Sequence, residues 1–255
     1  MKITRAQWNK FKNTASKLSK LASQEMDAWI IAQGGYTAVE FDDAIAMAYA
    51  ISKKYGEANA TLSALFYDAI AEASGVAVPS AVVAETATLG EVSKAIYGAS
   101  SFSQNDNYIS GIVGRMVKQA GADTTMQNAV RDGAEWAWIG TGDSCAFCEL
   151  LSANGWQKAS KEVLKGNHAE HIHSNCDCQF MIRFTSDTTV QGYKPNTNLY
   201  YETEGRTMEE KANTLRRQAY ARNKEKISEQ KQIAYKMRTD HVTSEEAQEQ
   251  INSTE

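Results

Sequence analysis

The chain has 255 residues, of which 42% are hydrophobic and 23% charged, and a formal net charge of −4. That is enough apolar material for one large domain or two smaller ones. The negative balance excludes a protein that grips nucleic acid with a uniformly basic body.

The N-terminus MKITRAQWNKFKNTASKLSK has no apolar h-region and no small-residue cleavage site, so no signal peptide is expected. No run of about 18 apolar residues suggests a membrane span. Pro79 and Pro195 are the only prolines, which suits a helix-rich chain. Residues 4–32 read as a helix: Thr4-x-x-Gln7 is a capping box, and Trp8, Phe11, Ala15, Leu18, Ala22 and Trp29 build one apolar face. Gly34-Gly35 stops it. Residues 39–55 read as a second helix ended near Gly56, and a third carries Leu62, Leu65, Phe66 and Ile70 and ends near Gly75. A loop around Pro79 follows, then helical patterns over 87–98, 107–120 and 123–132.

The period then changes. Glu135-Trp136-Ala137-Trp138-Ile139, bounded by Gly133 and Gly140, reads as a strand. Gly155-Trp156 starts another, and Cys178 to Phe184 alternates as a third. Residues 186–205 read as a linker. From Thr207 to Arg238 the chain is helical again. Residues 206–238 hold ten Lys/Arg against four Asp/Glu, a net of +6, whereas 239–255 hold five acids and no Lys or Arg. The apolar stripe of this helix is narrow (Leu215, Ala219, Ile227, Ile233, Met237), so it needs a partner surface along one side or projects into solvent.

All four cysteines and three of the four histidines lie between Cys145 and Cys178. Thiolates and imidazoles are the ligands zinc prefers, and two short-spaced pairs close a tetrahedron around one ion. Cys145 and Cys148 have knuckle spacing. The second half offers His173, Cys176 and Cys178, one ligand more than needed, and spacing does not choose which two complete the site. Four protein ligands make a closed, structural site that would stabilise a small sheet. The competing reading is buried cysteines used as small hydrophobes. His168 and His171 read as surface histidines, as does His241. His168-Ala-Glu170 has half of a zinc-deaminase signature, but its order and spacing relative to the cysteines are wrong. No phosphate-binding Gly-rich loop and no nucleophile–base set is evident, so no enzyme activity is expected.

The run Gly142-Asp143-Ser144-Cys145-Ala-Phe-Cys148, a Gly-Trp pair, then His173-Ser-Asn-Cys176-Asp-Cys178 before an alternating strand resembles the tailed-phage head morphogenesis family, the MuF-like minor capsid proteins. Ser174 and Asp177 depart from the proline and arginine of that family's pattern. The resemblance implies a virion structural protein, made in the bacterial host cytoplasm and placed in the phage head. It implies assembly with the portal or major capsid protein, and a part in head assembly and DNA packaging. The alternative is a zinc-dependent nucleic-acid-binding or nuclease/deaminase-like protein. The expected architecture is α+β and mainly α-helical. It comprises a helical domain over 1–132, a zinc-stapled antiparallel β module over 133–186, and a linker, basic helix and acidic tail over 187–255. One structural zinc is the expected cofactor. The basic helix 206–238 is expected to touch portal or capsid surfaces or packaged DNA, and no membrane partner is expected.

Overall fold

The computed structural model describes residues 2–36, 38–100, 108–139, 145–160, 178–185, 198–224, 228, 231–233, 235 and 249. Three long helices dominate it: α1 (Arg5–Ala32), α2 (Phe41–Ser74) and α4 (Tyr108–Asp132). Thr4 and Gln7 form the capping box of α1, and Trp8, Phe11, Ala15, Ala22, Met26 and Ile30 are its buried positions. Their three- and four-residue steps keep one face turned inward along a helix of about 40 Å. Among the described residues no helix is long and apolar enough to cross a membrane.

Two breaks that the sequence suggests, the stop near Gly56 and the gap between the helical patterns 107–120 and 123–132, are not breaks. Gly56 lies inside the 34-residue α2, and Gly121 inside α4. A Cβ on Gly121 would sit 2.6 Å from Asn59 Nδ2 and 2.8 Å from Ser63 Oγ; one on Gly56 would sit 3.0 Å from Thr86 Cγ2 and 3.6 Å from Ala120 Cβ. On the α1 side, a Cβ on Gly114 would lie 2.5 Å from Ser23 Oγ. The missing side chains let the helix backbones approach closely. That approach brings polar side chains of the neighbours onto the carbonyls of α4. Ser19 Oγ donates to Gly114 O (2.9 Å), Ser23 Oγ to Ser110 O (2.9 Å) and Asn59 Nδ2 to Val117 O (2.8 Å). These pairings run α4 antiparallel to α1 and parallel to α2.

A parallel neighbour requires the chain to travel back before α4 begins. It does so as an extended strap after Gly75, whose left-handed backbone (φ 67°) closes α2 with Val76 N–H on Ala71 O. Helix side chains hold the strap in the α2–α4 groove. Asp68 accepts from Ala81 N–H, Asn128 makes a two-way pair with the Val82 amide, and Thr124 accepts from Ala84 N–H. Arg131 donates to Pro79 O and Ser80 O and pairs with Asp132, which accepts from the Tyr67 hydroxyl (2.8 Å). Burial and the Asp132 carboxylate hold the Tyr67 phenol above its usual pKa range. Helix α3 (Leu89–Ser100), opened by a Thr88–Glu91 pairing, completes the return. Near it, burial pushes the Asp123 carboxyl up to about 6, partly opposed by a hydrogen bond from Gln119.

Gly133 (φ 68°) closes α4 and turns the chain into β1 (Glu135–Ile139). The antiparallel sheet has the order β2-β1-β3, with β2 at Gln157–Lys158 and β3 at Gln179–Arg183. Trp136 faces Ile182 and Trp138 faces Phe180 across the strands. The Phe180 ring meets both indoles edge-on, at 5.3 and 4.5 Å between centroids.

The expected fold class is corrected here, because the sheet is not a zinc-stapled module. Its residues Trp136, Trp138, Phe180, Met181 and Ile182 share one apolar cluster with Trp8 and Phe11 of α1, Tyr67 and Ile70 of α2, and Met126 and Ala129 of α4. The open sheet is held by packing on the end of the helical bundle. A second cluster, with Met26, Ile30, Ile45, Ile51, Val92, Ile96, Val113 and Val117, fills the other end.

Gly121→Ala tests the close approach. The new methyl gains about 1 kcal/mol of helix propensity but overpacks against Asn59 and Ser63 at a cost of about 1–3 kcal/mol, so a net loss of up to about 2 kcal/mol is expected in denaturant unfolding. A stabilised variant would show that the helices have room to spare.

Candidate functional site

Three of the five expected zinc ligands are described, and their setting is apolar. Cys145 is the N-cap residue of a short helix, α5 (Ala146–Ala153), and is half-buried against the cluster that joins sheet and bundle. Cys148, one turn in, is fully buried beside Leu151, and Cys178 is buried just before β3 in the same cluster. The Cys-x-x-Cys spacing is thus the first turn of a helix with its inner face in the core.

Among the described residues no three His, Cys, Asp or Glu side chains come together in a way that could hold a metal ion. Zinc, expected as the cofactor, is therefore corrected. The described cysteines lie among the apolar side chains of the core that joins sheet and bundle. His173 and Cys176, with His168, Glu170 and His171, lie outside the described residues.

Helix α5 has a second role. Its outer side carries Leu150, which is buried with Ala212 and Leu215 of the C-terminal helix α7 (Met208–Arg222). Phe147 of α5 and Leu199 and Tyr200 of the short α6 (Asn198–Glu202) close over this contact. Helix α7 starts with a capping box between Thr207 and Glu210.

One turn in, Lys211 is only 7% exposed. Its ammonium donates to Tyr200 O (2.7 Å) and Thr203 O (2.5 Å) and lies 4.8 Å from the centre of the Tyr200 ring. The cation satisfies carbonyls at the C-terminal end of α6, where the helix dipole favours positive charge. Sequence reasoning missed Lys211, because a lysine in a basic helix reads as one more solvated cation.

The other cations of α7 face water. Arg216, Arg217 and Arg222 are exposed, as are Arg206 just before the helix and Lys224 and Lys231 beyond its end. Arg216 donates to Asn213 Oδ1 (2.8 Å) and Arg217 to Asn213 O (3.3 Å), so both bond within their own helix. Tyr220 and Tyr235 stand among them at 51% and 63% exposure. Residues 224, 228, 231–233 and 235 are also helical. The arrangement is a helix fixed at its root by Lys211, Ala212 and Leu215, with guanidinium groups and phenol rings turned outward.

A family model described as VG15 protein matches residues 2–203. No curated protein and no solved structure matches the chain. The resemblance to the head-morphogenesis family does not hold. It rested on a Cys/His metal module that the described cysteines do not form, and the matching family carries a different description. The minor capsid, portal and DNA-packaging reading falls with it, as does the zinc-dependent nucleic-acid or nuclease/deaminase alternative.

Lys211→Met tests the root of the arm. It leaves the buried Thr203 carbonyl without its donor, at about 1–3 kcal/mol, and the part-buried Tyr200 carbonyl at a smaller cost. Amide exchange over 208–222 should accelerate while the bundle helices keep their protection. Unchanged exchange in α7 would show that Lys211 does not hold it.

Proposed function

The chain belongs to the VG15 protein family, and from that premise we propose that it works without catalysis, as a binding protein whose helical body presents a cationic arm to the phosphate backbone of DNA. The observation that carries this reading is the division of labour along α7. One side is buried on α5 and α6 through Lys211, Ala212 and Leu215, and the remainder exposes Arg216, Arg217 and Arg222, with Arg206 exposed just before the helix. An arginine stays charged at any physiological pH and its planar fork matches phosphate oxygens. Interleaved tyrosines supply rings that pack on sugars and bases. The surface is an outward helix face anchored at its root, which suits docking along a charged rod more than enclosing a small substrate.

The segregation of charge supports the same reading. The arm carries a net of +6 on a chain whose total is −4, so attraction to a polyanion is focused on the arm while the rest of the chain is repelled.

The test is fluorescence anisotropy of a short duplex with the full chain and with Arg216, Arg217 and Arg222 changed to Gln. The unmodified chain should bind at low salt, and the triple variant should bind at least about tenfold more weakly, because phosphate contacts dominate such affinity. Equal binding by the two proteins, or none by the unmodified chain, would contradict the reading.

A further inference from the structure

The arm presents rings as well as charge. Tyr220 is 51% exposed and stands among its cations. Arg216 and Arg217 precede it by four and three residues, which places both one turn back on the same side of α7. Arg222 and Lys224 follow within four residues and are exposed. Every residue from Tyr220 to Lys224 is exposed, and the anchors Lys211, Ala212 and Leu215 all lie earlier in the helix. A second ring stands at the root. Tyr201 of α6 is 83% exposed and meets Tyr200 edge-on, at 5.6 Å between centroids. The Tyr200 ring in turn lies 4.8 Å from the Lys211 ammonium. From Lys211 to Tyr220 is about 14 Å along a straight helix.

Packing gives no reason for a ring at Tyr220. Among the described residues no second ring and no cation packs on it. At an exposed helix position a straight-chain residue holds the helix better, because an aromatic side chain loses rotamer freedom against the preceding turn.

We propose that Tyr220 and Tyr201 are base-stacking residues, and that the DNA taken by the arm is single-stranded. This rests on the phosphate reading of the arm and narrows its substrate. Single strands are held without sequence preference by cations that track the backbone and rings on which bases stack. A base can stack on an outside ring only when its own face is free. A duplex offers phosphates to the arginines but keeps its base faces inside, and prying a step apart is costly. The distance from root to Tyr220 corresponds to about four nucleotides at about 3.4 Å each. A groove on a protein partner fits less well. A helix that docks in such a groove presents apolar anchors three and four residues apart, whereas those positions around Tyr220 are Arg216, Arg217, Asn223 and Lys224.

The experiment measures anisotropy at low salt with two probes, an oligothymidylate of about 16 nucleotides and a duplex of the same length. Five full-length proteins are compared: the unmodified chain, Tyr220→Leu, Tyr201→Leu, Tyr220→Phe, and the variant with Arg216, Arg217 and Arg222 changed to Gln. The readout is the ratio of single-strand to duplex affinity. The unmodified chain should favour the single strand by at least about tenfold. Each Leu variant should lower that ratio by about fivefold or more. Leu keeps apolar bulk and is a good helix former, so both variants should melt at the temperature of the unmodified chain. Tyr220→Phe keeps the ring and should keep the ratio. The arginine variant should weaken binding to both probes.

No preference for the single strand, or a ratio unchanged in both Leu variants, overturns this proposal. Loss of the ratio in Tyr220→Phe as well as in Tyr220→Leu also overturns it, because the stacking face is still present. If the duplex is bound through the arginines in any of these cases, the phosphate reading stands without it. Failure of the unmodified chain to bind either probe removes both.

Discussion

The fold depends on how closely α4 lies against α1 and α2. Gly114 and Gly121 strip α4 of side chains at the points of contact, and Ser19, Ser23 and Asn59 reach its carbonyls through the gap. A bundle packed this way gains dispersion contacts along its backbones. It also acquires buried hydrogen bonds that fix the sliding position of one helix on the next. With α4 fixed in register, its C-terminal end lies beside the end of α2 and the start of α1. Those three ends form the apolar floor on which Trp136, Trp138 and Phe180 of the sheet pack. The parallel course of α2 and α4 in turn imposes the strap, and the strap explains why Asp68, Thr124 and Asn128 stand on helix faces where apolar residues would otherwise serve.

The chain of dependence continues to the arm. The sheet and bundle bury the inner side of α5 through Cys148 and Leu151, which leaves Leu150 as a fixed anchor for Ala212 and Leu215. Lys211 adds a polar lock. The exposed arginines of α7 therefore project from a position determined by one packed core, and they are not needed to build it. That separation lets surface charge answer to a partner while packing answers to stability.

The sequence reveals the local parts of this fold. The Thr4–Gln7 capping box, the end of α2 at Gly75 and the aromatic strand after Gly133 are each decided within a few residues, and each is visible without a structure. Gly56, and the gap at Gly121 between two helical patterns, mislead because a glycine that interrupts a helix and one that admits a neighbouring helix look alike along a single chain. Only the positions of Asn59, Ser63 and Thr86 in space separate the two. The cysteines mislead for a related reason. A spacing of three fits a metal knuckle and also one helical turn, and the structure uses the turn, with Cys148 facing the core. Of the candidate site, the basic character of the arm is legible, since charge is a property of composition. Its root is not, because the exchange of Lys211 between solvent and two carbonyls is a tertiary event.

The claim at the centre of this account is that cations on a rigid acidic body meet the phosphates of a nucleic acid. The measurement that tests it most directly is the salt dependence of duplex binding by the unmodified full chain. Each phosphate contact releases counterions and adds about −0.9 to the slope of log K against log salt. Contacts from Arg216, Arg217 and Arg222 of α7 predict a linear plot with a slope of about −3. A flat plot, or a slope no steeper than about −1, would contradict the account.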